Sequence, residues 1–170
     1  YCNKNKIIFI STPFSREAAD RLDDMNVSCF KIGSGECNNI PLIEHIARKK
    51  KPIILSTGMN DLKSIQASVK VIQKYDCPLA ILHCTSMYPT PYKYVRIGAI
   101  PLLRKKFPFA VIGSSDHSMG IETSLGAVAL GASIIEKHFT VNTKWSGPDN
   151  VISIKPSELK MLNRYSKNIW

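Results

Sequence analysis

Six short apolar runs, each cut off by a cluster of polar residues, constrain this 170-residue chain more than any other feature. They start at Ile7, Cys29, Ile53, Leu79, Phe109 and Ser133. They close on Ser11-Thr12-Pro13, on 31–36, on Ser56-Thr57-Gly58, on His83-Cys84-Thr85, on Ser115-Asp116-His117 and on Glu136-Lys137-His138. Parallel strands covered on both faces read as near-continuous apolar runs of this kind. The starts lie 22 to 30 residues apart, and the stretches between them are amphipathic with helical spacing. Helices are expected over 16–25, 38–48, 61–74, 97–105, 118–130 and 156–166. Asn60 or Asp61 is placed to cap the third, and Pro156 stands in the first turn of the last. Strand, polar loop and helix in repetition make a βα array, hence a parallel sheet. The near-regular period favours a barrel over an open doubly wound sheet, and no Gly-x-Gly-x-x-Gly fingerprint follows any strand.

The expected fold is therefore α/β, a TIM (β/α)8 barrel that is incomplete. About six βα units are visible where a closed barrel has eight. Residues 1–170 are expected to be one partial barrel, lacking its two N-terminal units, as a chain without an initial Met would allow. In such arrays the functional residues gather where the strands end.

Composition excludes several classes. The net charge of +10 invites a nucleic-acid partner. The Lys and Arg residues, however, are spread over surface-like helix positions, without aromatic interleaving or a nucleic-acid module. Attraction of an anionic small substrate is the better use of that charge. No run approaches the roughly 20 apolar residues of a membrane span, and no signal-peptide pattern opens the chain. The five cysteines lack metal-ligand spacing, which points to a reduced, cytoplasmic setting.

The strand-end clusters carry the chemistry. Lys31 lies in an apolar run, where an ammonium is costly unless it meets an anion. The following Gly33-Ser34-Gly35 lets backbone N–H groups approach a phosphate, with a Lys31–Glu36 ion pair as the structural alternative. Thr12, Ser56 and Ser115 place hydroxyls at three other strand ends, as helix caps or as parts of a phosphate cradle. His117 and His138 end the last two strands, so a barrel would bring them within reach of one metal ion. Two protein ligands leave coordination positions open, as a catalytic Lewis acid requires. Asp116 and Glu136 are candidates for further ligands or for orienting the imidazoles. His83 reads as structural or supporting, and His45 has no special claim. Tyr88 and Asp149, in loops past strand ends, could hydrogen-bond a polyhydroxylated ligand.

In this order the clusters resemble the sialic acid synthase (N-acetylneuraminate synthase) family, its bacterial branch most closely. The carrying segments run from Phe9 to Phe14, Phe30 to Asn39, Ile54 to Met59, Leu82 to Thr85 with Tyr88 to Tyr92, Ile112 to His117, Glu136 to Phe139 and Gly147 to Asp149. The resemblance implies a metal-dependent TIM-barrel transferase of sialic acid biosynthesis that joins phosphoenolpyruvate to N-acetylmannosamine and releases phosphate. The ion implied is Mn²⁺, with Mg²⁺ or Co²⁺ as substitutes, and the full-length protein is implied to be a homodimer. Carried over by position, His117 and His138 are the metal ligands. Thr12, Lys31, Ser34, Ser56, Ser86 and Ser115 hold phosphoenolpyruvate, and Glu36, Tyr88 and Asp149 face the sugar. Glu36 is also the candidate for proton handling. Ser86 stands where some members have Asn.

The resemblance has departures. A Glu on the family's first strand, a Lys on its second, and its C-terminal antifreeze-like domain have no counterpart here, so this piece alone is expected to be inactive and unstable. Pseudaminic and legionaminic acid synthases share the same phosphate and metal motifs. A Schiff-base aldolase using Lys31 and a non-catalytic sugar-phosphate binding protein are the alternatives from other classes.

Overall fold

Helix caps and apolar stripes mark most of the element boundaries. A computed structural model describes residues 1–170. In order, the elements are α1 (Arg16–Asp24), β1 (Phe30–Ile32), α2 (Ile40–Ala47), β2 (Ile53–Ser56), α3 (Leu62–Lys74), β3 (Leu79–Cys84), α4 (Tyr92–Val95), α5 (Ala99–Lys106), β4 (Val111–Asp116), α6 (Glu122–Ala129), β5 (Ile134–Lys137) and α7 (Pro156–Ile169). Hydrogen bonding orders the sheet β1-β2-β3-β4-β5, the order of the sequence. The α/β fold with five parallel strands agrees with the expected array, and each of the six expected helices is present. The chain divides into two compact units, Tyr1–Ala80 and Ile81–Trp170, with the boundary inside β3.

In the first unit, Ser15, Asn39 and Asp61 cap α1, α2 and α3, each side chain accepting from a backbone N–H three residues on. Strand β1 pairs with β2 in parallel, Phe30 opposite Ile53 and Ile32 opposite Leu55, and these four side chains are buried. Ile43 and Ile46 of α2 and Ile65 and Ile72 of α3 are buried as well.

One expectation fails here. The run from Ile7 forms no strand, so five strands are present rather than six. Ile7, Ile8, Phe9 and Ile10 are exposed, and the ladder to β1 consists of a long contact from Lys31 N–H to Ser11 O, 3.4 Å. Apolar content marks only a capacity to be buried, and these four side chains are 41–69% exposed.

In the second unit, β4 and β5 pair in parallel through Gly113–Ile134, Ser114–Ile135, Ser115–Glu136 and Asp116–Lys137. Helix α7 packs on α6 through a small cluster of Ile121, Ile154 and Leu162, with Leu125 and Ile135 against it. Past β5, Ile154 N–H donates to His138 O at 2.8 Å and Thr140 N–H to Ile154 O at 3.0 Å. The one-turn α4 has no counterpart among the expected helices.

The cysteines behave as small apolar residues, four of the five being buried, and burial pushes the Cys37 thiol up to about 11. No helix is long and apolar enough to cross a membrane.

Candidate functional site

Lys31, the middle residue of β1, is buried, and its Nζ donates to Ser56 Oγ at 2.8 Å and to Ile32 O at 3.3 Å. The first unit thus brings two of the expected phosphate-binding residues into contact. The glycine-rich segment turns through a short 3-10 helix, Ser34–Glu36. Ser34 Oγ accepts from Gly58 N–H at 2.9 Å, and Asn60 Nδ2 donates to Ser34 O at 2.9 Å. Asn60 is therefore a brace for this loop, and the cap of α3 is Asp61. Thr12 stands beside Gly33, where an added Cβ would lie 3.8 Å from its methyl. Glu36 turns to Asn39, whose Nδ2 donates to it at 2.6 Å, instead of to Lys31.

In the second unit, β4 ends at Asp116 and β5 at Lys137, so His117 and His138 follow the last rung of the ladder. Their ring centroids are 5.3 Å apart. Tyr88 lies against both, 4.1 Å from His117 and 5.8 Å edge-on to His138. Asp149 Oδ2 is 3.8 Å from His138 Nδ1. Four of the expected residues meet here. His117 Nδ1 is 3.0 Å from Thr85 O, and a nitrogen facing a carbonyl must donate. That hydrogen bond sets the tautomer and leaves Nε2 as the lone-pair donor, the usual arrangement of a metal-binding imidazole.

Burial works against a proton on His117. The hydrogen bonds to Cys84 and Thr85 O and the charge of Glu136 outweigh it, so its pKa stands above the ordinary value. His138 goes the other way: burial lowers it, Asp149 opposes, and His117 adds to the lowering. Burial, followed by the negative charge of nearby groups, raises Tyr88, which keeps its phenol a donor at neutral pH.

Two imidazoles this close, one of them with its Nε2 lone pair left available, would suit a single divalent ion held between them. No group of three or more His, Cys, Asp or Glu residues converges as a metal cage, so solvent or substrate would complete the coordination.

Ser115 Oγ donates to Glu136 Oε1 at 2.6 Å, and Ser86 lies beside Cys84. His83 Nε2 meets Val95 O at 2.8 Å, a structural tie, as expected. His45 pairs with Asp20. Asp116 does not serve as a ligand. Strand alternation turns it to the face opposite its neighbour His117, and both its oxygens are occupied by donors. Its partner Lys137 went unassigned in the sequence, although an ammonium inside an apolar run was the signal used for Lys31.

The chain matches the NeuB family over residues 1–170. It is 46% identical over 165 residues to an N,N'-diacetyllegionaminic acid synthase of Campylobacter jejuni, covering 95% of this chain and 49% of that protein. It is 35% identical over 164 residues to the N-acetylneuraminate-9-phosphate synthase of Homo sapiens, covering 96% and 46%. Among solved structures it superposes on an N-acetylneuraminic acid synthetase of Leptospira borgpetersenii in complex with citrate. There the TM-score is 0.95 at 39% identity, over 98% of this chain and 58% of that one. The chain spans about half the length of the curated relatives it matches.

Proposed function

From its membership of the NeuB family, to which this chain belongs, we propose that it is part of a phosphoenolpyruvate-dependent synthase, with N-acetylmannosamine as acceptor and N-acetylneuraminate as product. The observation that carries the reading is the pair of imidazoles 5.3 Å apart, with His117 held by Thr85 O so that Nε2 is the donor. His117 and His138 would hold a divalent ion, Mn²⁺ in the first instance, which would supply Lewis acidity toward the acceptor's carbonyl oxygen.

The chain's own residues bind and orient. Lys31, with Ser56, Ser34 and Thr12, takes the phosphate of phosphoenolpyruvate, as a buried ammonium beside hydroxyl groups is equipped to do. Tyr88 and Asp149 hold the sugar hydroxyls beside the imidazoles. In the reaction, C3 of phosphoenolpyruvate bonds to the aldehyde carbon, whose oxygen takes up a proton. Water adds at C2, and phosphate leaves with the bridging oxygen as that C–O bond breaks.

A second reading has an observation in its favour. The legionaminic acid synthase of C. jejuni is 46% identical, against 35% for the human N-acetylneuraminate-9-phosphate enzyme, so a diacetylated acceptor is the competing substrate. Phosphate release by the intact protein, from phosphoenolpyruvate and a panel of N-acetylated sugars with and without Mn²⁺, tests both. The sugar that drives the fastest release identifies the acceptor, and release that ignores the sugar would sink the synthase reading.

A further inference from the structure

The last two rungs of the β4–β5 ladder divide by face. Ser115 and Glu136 are register partners bonded at 2.6 Å on one face. Asp116 and Lys137, the next partners, meet at 2.9 Å on the other, with side chains 2% and 3% exposed. His117 and His138 follow immediately, back on the first face and beyond the paired rungs. The ion pair therefore closes the final rung from which both imidazoles project.

The pair is tied on every side. Asp116 Oδ1 accepts from Ser118 N–H at 2.8 Å and from Ser118 Oγ at 2.7 Å. Oδ2 accepts from Ser124 Oγ of α6 at 2.6 Å and from Lys137 Nζ at 2.9 Å. Lys137 also donates to Ser118 O, so it grips the turn directly after His117. His117 is thus bracketed by residues 116 and 118, both bound to the side chain that precedes His138. A buried ion pair is weak evidence for stability as such, and fixing register is its best-attested use.

We infer that Asp116 and Lys137 are positioning residues for a divalent-ion site. They set the separation of the two imidazoles by locking the last rung of β4 and β5 from the opposite face. The inference rests on the proposed metal pair. Groups that orient metal ligands change metal affinity by roughly 10- to 100-fold when they are removed.

The test is Mn²⁺ binding by the intact protein, read as the electron paramagnetic resonance of the free ion, with thermal melting alongside. The variants are His117→Ala, Lys137→Met, Asp116→Asn and the double variant Asp116→Leu with Lys137→Met. The double variant replaces both charges by apolar groups, an exchange that buried pairs commonly tolerate. It is expected to melt near the parent and yet bind Mn²⁺ roughly 10- to 100-fold more weakly. His117→Ala is expected to lose the site. If His117→Ala loses Mn²⁺ while the folded double variant and Asp116→Asn bind like the parent, the pair is structural only and the inference falls. If His117→Ala binds like the parent, the metal pair itself is wrong, and the inference falls with it.

Discussion

Gly113 offers a quantitative check on how closely β4 and β5 pack. A Cβ added there would lie 2.5 Å from Ile134 O, 2.5 Å from Leu82 Cδ2 and 2.9 Å from Ile134 Cβ. The first of these is a backbone oxygen in the β4–β5 ladder, opposite Gly113 itself. It cannot rotate away, and Leu82 is fully buried, so an alanine must push the strands apart. Overpacking of this kind costs about 1–3 kcal/mol. Against it stands the smaller entropy of the unfolded chain, worth about 0.4–1 kcal/mol in favour of alanine. The net loss is about 1–2 kcal/mol, a fall in melting temperature of about 2–8 °C for a chain of this size. Gly98, where an added Cβ meets nothing within 4 Å, is the control, and its alanine variant should melt within about 3 °C of the parent. Differential scanning calorimetry of both variants decides. A Gly113→Ala protein that melts at or above the parent would refute the close approach of the strands.

Three further outcomes are expected. Leu162→Ala removes the α7 contribution to the cluster with Ile121 and Ile154 and should cost about 2–4 kcal/mol in urea unfolding. Asp20 and Asp23 are held below the usual carboxylate range, Asp20 first by its hydrogen bond to Lys49 and Asp23 first by that to Lys51. Their contribution to stability is present above the unfolded carboxylate range and is lost as pH falls through the depressed folded values. Melting temperature should therefore drop below about pH 4, and Lys49→Met should flatten that drop. Lys31→Met should raise the KM for phosphoenolpyruvate at least about tenfold, the loss of one charge-assisted contact, while leaving Mn²⁺ affinity unchanged.

Much of this was legible in the sequence because parallel strands announce themselves. The runs from Cys29, Ile53, Leu79, Phe109 and Ser133 each contain a strand, and His117 and His138 follow strand ends, as read. The run from Ile7 was as apolar as the others, but apolar pattern measures the capacity to be buried, and those side chains are exposed. Helix α4 is a single turn, too short to show a period. Adjacency in sequence leaves Asp116 open as a ligand or as an orienting partner, and strand alternation, which turns it to the face opposite His117, speaks against the first. Lys137 was recoverable by the rule applied to Lys31. The partners of both, Ser56 for one and Asp116 for the other, depend on register and lay beyond the sequence.

The proposed reaction is a condensation that breaks the C–O bond of phosphoenolpyruvate in the presence of an N-acetylated sugar and Mn²⁺. Phosphoenolpyruvate labelled with ¹⁸O at the bridging oxygen, followed by ³¹P nuclear magnetic resonance on the intact protein, tests it directly. The label is expected in phosphate, and only when the sugar is present. Unlabelled phosphate, or release without the sugar, would contradict it.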